Sequence, residues 1–282
     1  MFAHSPISAA AVVLLAAAGV GCSKREQART PATATVPTVT ISATDYAFSM
    51  PDTIGAGVVR LRLVNHGPSL HHVQLVRLAA GKTLDSLMAA MRNPGPPPAW
   101  ARFVAGPNAP APGDSSELVE NLAPGQYAVI CLIPNDRGVL HVAMGMARPL
   151  VVSATGQPSA PEPTADVQVD LRDYEFTLST EIAAGTHTIK VVNDGPQLHE
   201  FFLARLDSGV TAQQLVAWVH AGMKGRPPAL PLGGATGLMP SDHAFVTLSF
   251  APGDYALLCF LPDARDGREH VMHGMVKQIH VS

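Results

Sequence analysis

The chain has 282 residues, 47% of them hydrophobic and only 15% charged, with a formal charge of −3. That near-neutral balance lacks the clustered basic excess of a nucleic-acid binder, so no nucleic-acid partner is expected. Three cysteines (Cys22, Cys131 and Cys259) are too few and too scattered for a disulfide framework or a zinc ribbon, and 24 glycines with 25 prolines favour short strands and turns over a helical bundle.

Residues 7–18 form an apolar stretch of mainly Ala, Val and Leu. It is too short to span a bilayer and has the length of a signal h-region. Gly19-Val20-Gly21-Cys22 follows, then the polar run Ser23-Lys24-Arg25-Glu26-Gln27. Small residues ahead of a cysteine resemble a bacterial lipoprotein signal. The resemblance implies that residues 1–22 are a signal peptide and that Cys22 becomes the lipidated first residue. An ordinary secretory signal with an incidental Cys22 is the alternative. Residues 23–37, rich in Ala, Thr and Pro, read as a disordered tether.

The remainder is one unit written twice. Leu63–His72 (LVNHGPSLHH) and Val191–Glu200 (VVNDGPQLHE) agree at six of ten positions at an offset of 128. Ala123–Cys131 (APGQYAVIC) and Ala251–Cys259 (APGDYALLC) agree at six of nine at the same offset, as do Tyr46-x-Phe48 and Tyr174-x-Phe176. The spacing predicts one domain over 38–154 and a second over 166–282. A Pro/Ser/Ala linker over 155–165 joins them.

Each unit reads as mostly β. Val59–Leu63 alternates apolar and polar, the period of a half-buried strand, and His71–Leu75 continues it. Tyr127–Ile133 and Tyr255–Leu261 are apolar strand candidates behind Pro-Gly turns. One short helix interrupts each unit. Thr83 caps a stripe of Leu84, Leu87, Met88 and Met91, and Thr211 precedes Leu215, Val216 and Val219. Gly233–Gly237 has no Gly-Lys-Ser/Thr after it and reads as a loop, not a phosphate cradle.

The repeated polar residues carry the chemistry. Each copy has Asn-x-Gly-Pro-x-Leu-His, then one cysteine, then His-Val-x-x-Gly-Met. Imidazole, thiolate and thioether are the donors that suit copper, and two His with one Cys and a weak axial Met make a type 1 site. Side-chain parity places His71 with Val73 and Leu75 on the inward face, which leaves His72 as a surface residue. This order resembles the cupredoxins, the plastocyanin and azurin family, nearly end to end in both units. The resemblance implies an all-β fold of two tandem Greek-key β-sandwiches, each with a short helical insertion. It implies the metal ligands His71, Cys131, His141 and Met146, and then His199, Cys259, His270 and Met275. The Cys-to-His stretches hold nine and ten residues, where the family has two to four, and are rich in turn formers. Ends that stay close would let such a loop bulge outward and still present both ligands. His273, at the position of Met144, competes with His270 for the same role.

The expected function is that of an exported, membrane-tethered one-electron carrier with up to one type 1 copper per domain. It would be periplasmic or cell-surface, lipid-anchored, and served by a redox protein partner. The alternatives are a metal-free binding or assembly module and a periplasmic copper-handling protein. Pairing of Cys131 with Cys259 is a further alternative. No enzyme is expected, and no catalytic residue is assigned, because no histidine flanks Cys131 or Cys259 and no His-x-His pair occurs. The first domain carries eight basic and seven acidic residues, the second eight and thirteen. That asymmetry would steer a basic partner to the second domain.

Overall fold

Strand-forming residues fill both halves of the chain, and the two helices found are the two whose caps the sequence shows. The computed structural model describes residues 1–3, 35–92, 97–154 and 160–282. Cys22, the h-region, most of the tether and residues 155–159 of the linker lie outside the described residues.

The first half runs β1 (Thr38–Thr44), β2 (Ala47–Ser49), β3 (Thr53–Gly55), β4 (Gly57–Asn65), β5 (Gln74–Leu78), α1 (Leu84–Ala90), β6 (Ala101–Val104), β7 (Ser115–Leu122), β8 (Gly125–Ile130) and β9 (Ala147–Ser153). The second runs β10 (Val167–Arg172), β11 (Glu175–Leu178), β12 (Gly185–Asn193), β13 (His199–Leu206), α2 (Ala212–His220), β14 (Ala229–Leu238), β15 (His243–Phe250), β16 (Gly253–Leu258) and β17 (Val276–Val281). Strands β2-β1-β4-β7 face the sheet β3-β9-β8-β5-β6, and β11-β10-β12-β15 face β14-β13-β16-β17. Each half is therefore a cupredoxin-like β-sandwich. Strand β7 also pairs with β15, through Val119 opposite Phe245 and Leu118 opposite Val246, so one eight-stranded sheet runs through both halves.

Period-two alternation fixes which residues fill each sandwich. Leu61, Leu63, Val73, Leu75, Tyr127 and Val129 pack between the first pair of sheets, in the same cluster as Cys131 and Met146. Val191, Phe201, Leu203, Tyr255 and Leu257 do so in the second, with Cys259 and Met275. Helix α1 covers the outer face of β5 and β8, burying Val76, Leu78, Ala128 and Ile130 against Leu87. Thr83 caps it through a box with Ser86, and Thr211 caps α2 through a box with Gln214.

This second buried layer corrects one sequence expectation. His72 is not on the surface: it is 7% exposed, and Gln74 is 1% exposed. Parity names two faces, but here both are covered, and Gln74 Nε2 reaches the Gly237 carbonyl of the other half. A second correction concerns Gly233–Gly237, which belongs to strand β14, not to a loop. The glycines are there because neighbours press on the backbone: a Cβ at Gly233 would stand 2.5 Å from Ser116 Cβ. The strand candidates at Tyr127 and Tyr255 end one residue before each cysteine, at Ile130 and Leu258.

Candidate metal centres

Each site begins with the Asn-x-Gly turn. Asn65 Oδ1 accepts the Gly67 N–H at 3.0 Å while its Nδ2 donates to the Ser69 carbonyl at 2.9 Å. Asn193 does the same for Gly195 and Gln197, at 2.9 and 2.8 Å. The pinned turn aims the following histidine inward. At Gly67 a Cβ would stand 2.8 Å from His71 Nε2, and at Gly195 2.6 Å from His199 Nε2, so the motif needs glycine.

The cysteine sits one residue beyond the strand that carries it. The long stretch to the second histidine is zipped into a small hairpin. Pro134 bridges Leu140, the Asn135 N–H donates to the Val139 carbonyl at 2.8 Å, and the His141 N–H donates to the Ile133 carbonyl at 2.9 Å. In the second half Pro262 bridges Glu269 and the His270 N–H donates to the Leu261 carbonyl at 2.9 Å. The extra residues therefore bulge outward and leave the ends together. A short 3-10 turn then runs His141–Met144 and His270–His273, after which the Met146 and Met275 N–H groups each return to the histidine carbonyl at 3.0 Å.

The result is one group of donor atoms in each sandwich. His71, Cys131 and His141 come together, as do His199, Cys259 and His270, each residue offering an atom within 4.8 Å of the others. The Nδ1 atoms of His71 and His141 are 3.2 Å apart, and Cys131 Sγ is 3.5 Å from His141 Nδ1. The second set gives 3.1 and 3.2 Å. Nitrogens each about 2 Å from one ion in a trigonal arrangement stand about 3.5 Å apart. The donor set and its spacing fit type 1 copper, up to one per sandwich. Met146 and Met275 are fully buried in the same clusters as their cysteines. Cys131 and Cys259 are both free and buried, so the alternative of a bridge between them falls. His273 is not in its group: it stacks on Tyr174 at 4.7 Å and bonds Asp266 at 3.2 Å.

Burial sets the protonation of the donors. It pushes the Cys131 thiol up to about 12 and the Cys259 thiol well above its ordinary value. It holds His71, His141 and His199 below the usual imidazole range, and His270 falls to about 4. The outer Nε2 atoms of His141 and His270 are buried with no hydrogen-bond partner among the described residues. Tyr46 lies edge-on against His141 at 4.9 Å, and Tyr174 is 5.4 Å from His270.

Two functional residues escaped the sequence reading. Asp45 Oδ1 is 2.7 Å from His71 Nε2, and Asp173 Oδ1 is 2.7 Å from His199 Nε2. The signal was present: Asp-Tyr recurs at 45–46 and 173–174, at the same offset of 128.

The fold and the two sites define a cupredoxin-like protein with a type 1 copper donor set in each domain. No family model matches the chain, and no curated protein matches it. Among solved structures the chain is similar to a reduced auracyanin from Roseiflexus castenholzii, at 20% identity over 43% of this chain and 99% of that one, with a TM-score of 0.30. It is also similar to a copper nitrite reductase from Nitrosomonas europaea, at 13% identity over 88% and 94%, TM-score 0.26. A blue copper oxidase from the same organism matches at 14% over 88% and 86%, TM-score 0.25. The last two, which span both halves, are enzymes by name, against the expectation that the chain is no enzyme. The missing His-x-His pair speaks only to one way of wiring a second metal within one chain, and the fold itself serves both carriers and catalysts. Among the described residues no helix is long and apolar enough to cross a membrane.

Proposed function

We propose that the chain moves single electrons through two type 1 copper centres, one held by His71, Cys131, His141 and Met146 and the other by His199, Cys259, His270 and Met275. The observation that carries this reading is the convergence of two imidazole Nδ1 atoms and one thiol on a buried point, built twice from equivalent residues. A metal-free module has no need to aim three donor atoms at one another, and the 3.5 and 3.2 Å between sulfur and nitrogen favour the metal. Copper, when bound, supplies a one-electron couple. The chain's part is to hold two neutral imidazoles and a thiol in fixed positions away from water, which keeps reorganisation on electron gain small.

The test is metal analysis with visible spectroscopy of the Cu(II)-loaded protein. Two coppers per chain and an intense thiolate-to-copper band are expected, and Cys131→Ser and Cys259→Ser should each remove one copper and about half the colour. A colourless, copper-free protein overturns the reading. The nitrite reductase and the blue copper oxidase named above span both halves, so the loaded protein is also assayed for nitrite reduction and dioxygen consumption.

Export and lipid anchoring at Cys22 belong to the same proposal, supported by the apolar stretch 7–18 and the small residues before the cysteine. Cys22→Ser should move the protein from the membrane fraction to the soluble one. The domain limits 38–154 and 166–282 predict that limited proteolysis cuts within 155–165. The acidic excess of the second domain supports a basic redox partner, whose association should weaken with salt.

A further inference from the structure

The two Cys-to-His hairpins carry different residues at one equivalent turn position. Asn135 and Asp263 stand 128 residues apart, each directly after the hairpin's proline. They open the same turn: Asn135 Oδ1 accepts the Arg137 N–H at 2.9 Å, and Asp263 Oδ1 accepts the Arg265 N–H at 2.8 Å. The turn therefore needs no charge, yet the second hairpin holds one on a side chain only 1% exposed. Asp263 Oδ1 accepts a further N–H, from Asp266, at 3.3 Å. Its Oδ2 accepts the Tyr174 hydroxyl at 2.5 Å and Gln197 Nε2 at 2.8 Å. Four donors on two oxygens use the lone pairs a proton would take, so the carboxylate is held ionised.

That charge faces a metal donor. His270 Nε2, buried and without a hydrogen-bond partner among the described residues, is 3.9 Å from Asp263 Oδ2. With Nδ1 given to the metal, Nε2 carries the ring proton, and the N–H lies beside the carboxylate. In the first site His141 Nε2 is equally unpartnered, and the Asn135 amide brings no charge. The other hairpin charges balance more nearly. Arg137 matches Arg265, and the exposed Asp136 of the first hairpin has a counterpart in the exposed Asp266 of the second. Arg268 and Glu269 offset each other, and Asp45 and Asp173 serve the two sites alike. Arg265 comes within 3.9 Å of Asp263 but is 74% exposed, so water weakens its field far more than that of the buried carboxylate. Glu200, in the place of His72, adds a second carboxyl to the second site alone.

We propose that Asp263 sets the reduction potential of the second site below that of the first, so that one electron placed on the loaded chain comes to rest among His71, Cys131 and His141. This rests on the copper reading above. A fixed negative charge beside His270 favours the oxidised, more positive state of its centre, a preference the neutral Asn135 does not give the first. Transfer then runs downhill from the second domain to the first: one centre passes from Cu(I) to Cu(II) as the other passes from Cu(II) to Cu(I). Asp263 is no ligand and acts through its field at His270.

The experiment is potentiometric titration of the Cu(II)-loaded full chain, followed at its thiolate-to-copper band. Cys259→Ser reads the first centre alone, and Cys131→Ser the second. The second should lie lower by about tenfold or more in electron partition, which is about 59 mV for one electron. On those backgrounds the repeat's own residues are exchanged. Asp263→Asn should raise the second potential and Asn135→Asp should lower the first, each closing about half of that gap or more. Asn135→Asp also serves if Asp263→Asn disturbs folding. Asp266→Asn is the control: it removes the same charge from the exposed side of the same hairpin and should move the second potential by less than about twofold in partition, because water and salt screen it. Equal or inverted potentials, an unmoved potential in either exchange, or an equal shift in Asp266→Asn overturns the role of Asp263 and leaves the copper reading standing. Failure to take up copper overturns both.

Discussion

Asp45 holds the outer nitrogen of His71 at 2.7 Å and thereby turns the inner one towards Cys131, and Asp173 does the same for His199. A carboxylate accepts only, so Nε2 carries the proton and Nδ1 presents its lone pair to the site. Asp45→Asn and Asp173→Asn should each weaken copper binding about 10- to 100-fold in their own domain and leave the other site's intrinsic affinity alone. Titration on a background with the opposite cysteine changed to serine reads each effect separately. An unchanged affinity would show that packing alone orients these rings.

The protonation states set the pH dependence of loading. Near neutral pH the Cys131 thiol, pushed up to about 12 by burial, and the Cys259 thiol are protonated. The four site histidines lie below their ordinary range and are neutral. Copper uptake should therefore release one proton per site, from sulfur, and raising the pH should strengthen binding about tenfold per unit. Calorimetry in buffers of different ionisation enthalpy counts the protons. A value near two would mean that a histidine also starts out charged.

What the sequence disclosed follows from what repeats and what does not. The ligand types were legible because a thiol, two imidazoles and a thioether recur in fixed order in both copies, and a core alone does not demand them. The sandwich was legible from period two in strands such as Val59–Leu63. Asp45 was missed because a surface aspartate beside a tyrosine looks like turn chemistry until the fold brings it across to His71. His72 was misplaced because parity distinguishes two faces of a strand but does not know that both are covered. Burial of the second face comes from α1 and from the other half of the chain, contacts far apart in sequence. The hairpins at Pro134–Leu140 and Pro262–Glu269 were legible as turns, but not as closed ones.

Gly195 tests the turn that aims the first histidine. A Cβ there would come within 2.6 Å of His199 Nε2, the atom that Asp173 holds. Gly195→Ala should push the ring out of place, empty the second site and cost about 1–3 kcal/mol of stability through overpacking. The first site, 128 residues upstream in the repeat, should keep its copper, so metal analysis should fall from two ions per chain to one. Loss of both would mean that the second sandwich had unfolded, which a thermal scan distinguishes.

Gly234 tests whether β14 is an obligatory strand, as opposed to a loop laid against the sheet. Its φ is +126°, a region that L-residues rarely adopt, and a Cβ would fall on the Phe201 carbonyl oxygen of β13. The same segment carries Thr236, whose hydroxyl accepts the Gly106 N–H at 2.9 Å and donates to the Val73 carbonyl at 3.0 Å in the first half. Gly234→Ala must therefore shift β14 away from β13 and loosen the contact between the halves. Strain in φ alone costs about 1–3 kcal/mol, and for a compact unit spanning Ala34–Ser282 each kcal/mol lowers the melting temperature by about 2–4 °C. A melt lowered by several degrees, with the change concentrated in the metal-free protein, is the expected result, because bound metal stabilises the folded sites by mass action. An unchanged melt would show that β14 can slide without loss and that its glycines have some purpose other than close approach.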